Sequence, residues 1–232
     1  MCIIVAKPAG VKIPLQILKN CFDSNPDGAG MAFQLPSKDV FIRKGFMEFQ
    51  DMKNSLRDLG KRMDLTDSNI IMHFRVTTHG LSDKGNCHPF PIEGLDYARK
   101  LSFITSTAVA HNGVITGYGG FNQIYSDTQV FINKILTPLV AKHPGIYRDP
   151  EFLDMLRKST NSKFAFLDNK GLSITDGFTE DDGLFLSNTS YLFNDDRWVE
   201  EFYAKQYELY ENKTNTNSKI PIYRKFPIKR GV

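Results

Sequence analysis

Residues 2–6, Cys-Ile-Ile-Val-Ala, form an apolar run directly after Met1 and before Lys7. A short run rich in β-branched residues predicts a buried strand at the start of the chain. An initiator methionine followed by a small residue is readily removed, and its loss would leave Cys2 as the amino-terminal residue. From this position alone, the simpler interpretation of Cys2 is a small apolar side chain that packs at the start of a strand.

An amino-terminal cysteine carries a nucleophile and a base in one residue. The α-amine of a chain terminus titrates at roughly 7.7–8.0, so near neutral pH it can accept the thiol proton and later return it to a leaving group. An internal cysteine needs a separate base such as histidine. While Met1 remains attached, the amine of Cys2 is an amide and this base does not exist.

Length and composition favour one folded unit. A chain of 232 residues with 41% hydrophobic residues can bury one large core. It has no run of roughly 18 apolar residues and no basic segment before its apolar start, so we expect neither a membrane span nor a signal peptide, and a cytoplasmic location. The three cysteines, Cys2, Cys21 and Cys87, lack a Cys-x-x-Cys spacing, which argues against a disulfide framework.

The positive charge is concentrated near the end of the sequence. The chain carries +3 overall, but residues 211–232 hold six basic residues against Glu211 and account for +5, which leaves −2 for residues 1–210. Residues 211–218 are polar and show no apolar periodicity. We therefore predict a domain over residues 1–210 and a polar linker with a basic tail over residues 211–232. Docking of this tail on a partner protein or on the chain's own domain is the preferred interpretation, and nucleic-acid binding is not expected.

The apolar runs predict a mixture of strands and helices. Eight runs have strand character, at residues 3–6, 30–34, 40–43, 69–76, 102–110, 163–168, 172–175 and 184–187. Four have helical spacing, at residues 14–22, 49–63, 126–140 and 149–157. Residues 168–171 predict a hairpin turn between two strands. Strands in antiparallel groups with helices between them indicate an α+β fold, not a doubly wound parallel sheet.

Several segments with chemically active side chains follow Cys2 in a fixed order. They are Asn25-Pro26-Asp27-Gly28-Ala29-Gly30, His73-Phe74-Arg75-Val76-Thr77-Thr78-His79-Gly80, Asn86-Cys87-His88-Pro89-Phe90, Ala110-His111-Asn112-Gly113-Val114-Ile115 and Ser126-Asp127-Thr128. Any one is weak evidence, because Asp-Gly and Asn-Gly pairs are common in turns. Together, behind a penultimate cysteine, they resemble the glutaminase domain of class II glutamine amidotransferases, in the N-terminal nucleophile hydrolase superfamily. The resemblance is close over residues 2–130 and looser beyond.

This resemblance implies a four-layer αββα sandwich of two antiparallel sheets and a glutaminase that acts on L-glutamine. It implies that Cys2 attacks the side-chain amide of glutamine, forms a γ-glutamyl thioester and releases ammonia. Asn112 and Gly113 would stabilise the oxyanion, through an amide side chain and a backbone N–H. The alternative interpretation of this Asn-Gly pair is a plain type I′ turn.

The resemblance also implies how the two charged groups of glutamine are bound. Arg75 would grip the α-carboxylate through its planar fork, and Thr78 and His79 in the following turn would add contacts. Asp127 would bind the α-ammonium. Two alternatives stay open, a surface ion pair for Arg75 and an ordinary first-turn helix acid for Asp127.

A cluster of histidine and cysteine residues raises the question of a metal site. His73, His79, Cys87 and His88 lie within sixteen residues, but their spacing matches no common zinc pattern. The resemblance implies that His79 and His88 support the glutamine-binding loop, so we expect no metal and no cofactor. Two positions depart from the family, because Val76 stands where an aromatic residue is usual and Cys87 where a small residue is usual.

Three functions remain open. The first is a glutaminase subunit that supplies ammonia to a separate synthase partner. The second is a stand-alone hydrolase of a γ-glutamyl amide. The third is an inactive binding scaffold, against which the combination of Cys2, Arg75, Asn112, Gly113 and Asp127 argues.

Overall fold

A computed structural model describes residues 1–119 and 124–194. The predicted tail over residues 211–232 and the predicted domain end at residue 210 lie outside the described residues. No helix in the described part of the chain is long and apolar enough to cross a membrane.

The described residues form eleven strands. The strands are β1 (Ile3–Lys7), β2 (Ala29–Gln34), β3 (Val40–Phe46), β4 (Ile70–Phe74), β5 (Phe90–Pro91), β6 (Ser102–Thr105), β7 (Ala108–Asn112), β8 (Lys163–Asp168), β9 (Gly171–Ile174), β10 (Thr179–Asp181) and β11 (Leu184–Leu186). Seven of them form one sheet in the order β10-β11-β1-β4-β2-β3-β6, and four form a second sheet in the order β5-β7-β8-β9. All neighbouring pairs are antiparallel. The predicted α+β class with two antiparallel sheets is therefore confirmed.

Six helical segments and three short 3-10 turns complete the described chain. The helices are α1 (Leu15–Ser24), α2 (Phe49–Gly60), α3 (Leu95–Ala98), α4 (Asp127–Phe131), α5 (Thr137–Lys142) and α6 (Pro150–Thr160), with a π turn over Ile132–Leu136 between α4 and α5. The 3-10 turns span Lys84–Asn86, Ile146–Arg148 and Ser190–Asn194.

Buried apolar side chains fall into three clusters. One joins helices α1 and α2 to the larger sheet and includes Leu18 and Met52. A second lies between the two sheets and includes Ile71 and Leu167. The third joins the smaller sheet to helices α4 and α6 and includes Leu156. Each sheet thus packs on the other sheet through one face and on helices through its opposite face.

The strand predicted over residues 102–110 is two strands, so its predicted extent is wrong. Strand β6 belongs to the larger sheet and β7 to the smaller one. Between them the Thr107 backbone N–H donates to the Thr105 hydroxyl at 3.4 Å. Threonine favours strands, but threonine and serine also form such local turns, and residues 102–110 contain no glycine or proline that would mark the crossing.

The helix predicted over residues 126–140 is confirmed in place but contains a π turn. Pro138 has no N–H to donate to the preceding turn, which accounts for the altered hydrogen bonding. Ser126 caps this helix, because its side chain and that of Gln129 form a reciprocal capping box. The helix ends at Lys142, two residues beyond its predicted end. The hairpin at residues 168–171 is also confirmed, whereas the short strands β5 and β10 were not predicted.

Candidate functional site

Antiparallel pairing places the predicted site segments at one end of the two sheets. Ile3 and Ala29 both pair with Phe74, so the starts of β1 and β2 lie beside the end of β4. Strand β11 runs antiparallel to β1 and ends near its start. Strand β7 of the other sheet ends at Asn112 and reaches the same place through Ser187, whose hydroxyl bonds to Asn112 and to the backbone of β1.

Cys2 lies at this end as a half-buried free thiol. Its Sγ is 3.4 Å from both the backbone nitrogen and the carbonyl oxygen of Val76, and the Asn188 amide donates to the Cys2 carbonyl at 2.7 Å. Burial raises the pKa of the Cys2 thiol, while the Val76 backbone and the charge of Arg75 partly offset the rise. The thiol is therefore held in place but is not activated by its surroundings while Met1 precedes it.

Arg75 follows β4 and is almost completely buried, with 3% of its surface exposed. Its terminal nitrogens donate to the carbonyls of Leu81 at 2.8 Å and His79 at 3.0 Å. None of the ion pairs in the described part of the chain involves Arg75, so the surface ion-pair interpretation does not hold. The guanidinium has five N–H donors, and these two bonds leave others for an anionic group.

The loop over residues 76–81 is fixed to its surroundings at both ends. At its start the Thr77 backbone N–H donates to the Asp27 carboxylate at 2.7 Å. At its end Asn86 donates to the carbonyl of Leu81 at 3.0 Å, beside the bond from Arg75. The Asp-Gly segment and the Asn-Cys-His segment therefore both serve to hold the loop.

Two residues predicted to contact substrate, Thr78 and His79, lie in this loop and differ in how far they are exposed. Thr78 is exposed and makes no side-chain hydrogen bond to any described residue. His79 is half-buried with its ring against Gly119, where an added Cβ would be 2.6 Å from the ring. Its Nδ1 is buried and has no partner among the described residues.

Asn112 ends β7, and Gly113 follows it in a geometry that is not a type I′ turn. Asn112 is the last residue of the strand, paired with Lys163, and does not have a positive φ. Its Nδ2 is 2.8 Å from Ser187 Oγ, while its Oδ1 is buried without a described partner. Gly113 has φ +153°, and a Cβ there would clash with the Ser162 hydroxyl. Only glycine fits this position.

Asp127 begins α4 and is buried. Its Oδ2 accepts the Ile115 backbone N–H at 2.7 Å, and its Oδ1 accepts the Thr128 N–H at 2.8 Å and the Thr128 hydroxyl at 3.3 Å. The helix cap is Ser126, so Asp127 is a first-turn acid that also fixes the segment after Gly113. Each carboxylate oxygen can accept more than one bond, so a cation can still be bound.

Three buried histidines lie behind these residues. The rings of His73 and His88 stack at 4.1 Å, His73 Nε2 is 3.1 Å from the His111 carbonyl, and His111 Nδ1 is 2.9 Å from the Thr128 hydroxyl. Burial lowers the pKa of His73 to about 3, that of His111 to about 4, and that of His88 well below its ordinary value. These rings are therefore neutral at physiological pH and link strands of the two sheets.

The sequence did not identify Ser187 and Asn188 as site residues. Both directly follow β11, and they bond to Asn112 and to Cys2 respectively. Lys163 also contributes, since its Nζ donates to the Ser187 carbonyl at 2.6 Å. A Ser-Asn pair is ordinary in a loop, so the only available signal was its position at the end of the strand predicted over residues 184–187.

The arrangement places a thiol, a buried guanidinium, an amide side chain and a carboxylate at one end of the sheets. Such a set can attack a carbonyl carbon, stabilise the resulting oxyanion and bind a zwitterion. No group of three or more histidine, cysteine or acidic side chains within residues 1–119 and 124–194 is placed to hold a metal ion. No family model matches the chain, and no curated protein is significantly similar to it.

Proposed function

We propose that this chain is a glutamine amidohydrolase of the class II amidotransferase type, with Cys2 as nucleophile and the αββα fold of N-terminal nucleophile hydrolases. The observation that carries the proposal is the hydrogen-bonded link from β1 through Ser187 to Asn112. It brings a candidate nucleophile and a candidate oxyanion donor together from different sheets and from distant parts of the sequence.

The reaction would begin after loss of Met1, when the Cys2 amine accepts the thiol proton. The sulfur attacks the side-chain carbonyl carbon of glutamine, a C–S bond forms, and Asn112 and the Gly113 N–H stabilise the oxyanion. Collapse breaks the C–N bond, and the amine returns its proton to the departing ammonia. Water then attacks the γ-glutamyl thioester, which releases glutamate and restores the thiol.

Substrate recognition would use the two charged residues near the thiol. Arg75 is buried, close enough to lower the pKa of Cys2, and retains donors for the α-carboxylate of glutamine. Asp127 would bind the α-ammonium through Oδ2, which accepts only the Ile115 N–H, whereas Oδ1 accepts both the N–H and the hydroxyl of Thr128. Thr78 is exposed, so its contribution would require the loop to close over the substrate.

The test is glutamate release from L-glutamine by chain that mass spectrometry shows to begin at Cys2. We expect release by the wild type, no release by Cys2→Ala, and full release by Cys21→Ala, which removes a buried thiol on α1. Hydroxylamine in the assay should intercept the thioester as γ-glutamyl hydroxamate. Equal turnover by wild type and Cys2→Ala would disprove the assignment of the nucleophile.

The same assay separates the three functions that the sequence leaves open. A subunit of a larger synthase should release glutamate slowly alone and faster with its ammonia-accepting partner. A stand-alone hydrolase should need no partner and should prefer another γ-glutamyl amide to glutamine. A scaffold should bind its target equally well as Cys2→Ala. A free catalytic thiol suits a reducing compartment such as the cytoplasm.

A further inference from the structure

The hydroxyl of Ser187 lies between β1, which directly follows Cys2, and the side chain of Asn112. Its Oγ is 2.8 Å from the Ile4 backbone nitrogen and 2.8 Å from Asn112 Nδ2. In this arrangement Oγ accepts two N–H groups, and its own proton has no acceptor among the described residues. At the same time Asn112 Oδ1 is buried without a described partner.

A half-turn of the Asn112 amide group satisfies both of these groups. The oxygen and nitrogen of an amide occupy nearly the same space, and their assignment rests on the hydrogen bonds around them. With Oδ1 toward Ser187, the hydroxyl donates to Oδ1 and still accepts the Ile4 N–H. The one group then left without a partner is Nδ2, and unmade hydrogen bonds of buried groups are costly unless a ligand completes them.

Ser187 is itself held in place through its backbone. Its backbone N–H donates to the Ile4 carbonyl at 2.9 Å, and its carbonyl accepts the Lys163 Nζ at 2.6 Å. Lys163 is also the strand partner of Asn112. Both ends of the Ser187–Asn112 contact are therefore fixed by backbone pairing.

We propose that Ser187 is a positioning residue that donates its hydroxyl proton to Asn112 Oδ1 and so turns Asn112 Nδ2 toward the oxygen of the substrate amide. This inference rests on the proposed glutaminase reaction. An Asn112 that presented its oxygen would repel the oxyanion, whereas one that presents its nitrogen donates to it. Ser187 selects the second orientation without touching the substrate.

Neutron diffraction from deuterium-exchanged crystals of the full chain reads this orientation directly. We expect two deuterons on the amide atom remote from Ser187 and one deuteron between Ser187 Oγ and the nearer amide atom. Deuterons on the amide atom that faces Ser187 would overturn the proposal. This readout does not depend on activity, so a chain that fails to hydrolyse glutamine would disprove the proposed function and still leave the orientation decided.

Kinetics test whether Ser187 acts through Asn112. We expect Ser187→Ala to lower kcat for glutamine by about tenfold or more, with KM changed by less than about twofold, and Ser187→Thr to restore most of the loss. In an Asn112→Ala background, Ser187→Ala should cause no further loss. The same fold loss in both backgrounds would overturn the proposal.

A matched buried serine controls for general damage to the fold. Ser68 is also buried and donates to the Gln34 carbonyl at 2.7 Å, but it lies at the far end of β4, away from the thiol. Ser68→Ala should leave kcat unchanged in both backgrounds. If Ser187→Ala does not fold, the Ser187→Thr variant and the neutron structure of the wild type still decide the question.

Discussion

The reactivity of Cys2 depends on the group that removes its proton. Burial raises the pKa of the thiol, and the Val76 backbone and Arg75 offset this rise only in part. A thiol with a raised pKa is almost wholly protonated at neutral pH and is a poor nucleophile. In the proposed mechanism the missing base is the amine of Cys2 itself, which exists only after Met1 is lost.

Retention of a residue before Cys2 should therefore block catalysis and leave the fold intact. We compare the processed chain with one that carries a non-removable glycine before Cys2. Alkylation of Cys2 by iodoacetamide at pH 7 should be at least about tenfold slower in the extended chain, since one pKa unit changes the thiolate fraction tenfold. Peptide mapping distinguishes Cys2 from the buried Cys21 and Cys87. Equal alkylation rates would contradict a role for the amine.

Replacement of Arg75 by lysine keeps the charge but removes the planar fork. The two carbonyls of the 76–81 loop would each lose a donor, and the substrate carboxylate would lose its bidentate partner. We expect Arg75→Lys to raise KM for glutamine by about tenfold or more and to change kcat less, because charge-assisted bonds to a bound group are lost. Steady-state kinetics measure both.

The control for Arg75→Lys is the same change at an exposed arginine. Arg62 is exposed and lies beyond the end of α2, in a different part of the molecule. Arg62→Lys should leave KM and kcat unchanged. A glutamine analogue without an α-carboxylate should be hydrolysed equally slowly by the wild type and by Arg75→Lys. Faster hydrolysis of that analogue by the wild type than by Arg75→Lys would argue against the assigned role.

At the scale of elements, the sequence predicts buried strands and amphipathic helices well because their apolar periodicity is local. It fails where partner choice decides the structure. Residues 102–110 contain no glycine or proline that would divide the segment, yet the chain changes sheet at Ser106, because only packing distinguishes the two sheets. The sequence does not predict the role of Ser187 for the same reason, since this role depends on Ile4 and Asn112, which are distant in sequence.

The buried histidines on β4, on β7 and between them should make the fold sensitive to acid. His73 and His111 stay neutral in the folded chain down to about pH 3 and about pH 4, whereas in the unfolded chain they bind protons near pH 6.5. Below pH 6.5 the unfolded state therefore binds more protons than the folded state. The free energy of unfolding has its full value above that pH and falls toward pH 4. Each ring lowers the free energy of unfolding by up to about 1.4 kcal/mol for each unit that the pH falls.

Urea unfolding at pH 7, 6, 5 and 4 measures this dependence. We expect the midpoint to fall steeply below pH 6, and His88→Leu to reduce the slope because one buried ring is removed and both of its nitrogens have no described partner. His143 is exposed, so His143→Asn should leave the slope unchanged. If the urea concentration at the midpoint does not change from pH 7 to pH 4, the rings are protonated in the folded chain.

At the scale of the whole molecule, the site depends on how the two sheets are held together. Cys2 and Arg75 adjoin strands of the larger sheet, whereas Asn112 ends a strand of the smaller one. The apolar cluster between the sheets and the Ser187 bond connect these two halves. Packing between the sheets should therefore control activity, whereas packing of the outer helices should control stability alone.

Two leucine truncations of equal size test this distinction. Leu167 lies in the cluster between the sheets, and Leu156 lies between the smaller sheet and α6. Both Leu→Ala variants should lose about 2–5 kcal/mol of unfolding free energy, because each leaves a cavity in a packed core. At a temperature where both variants are folded, Leu167→Ala should also lose kcat by about tenfold, since a shift of the sheets misplaces the oxyanion donor relative to the thiol. Equal kcat for the two variants, each matched for the folded fraction by circular dichroism, would mean that the Ser187 bond alone keeps the two halves of the site aligned.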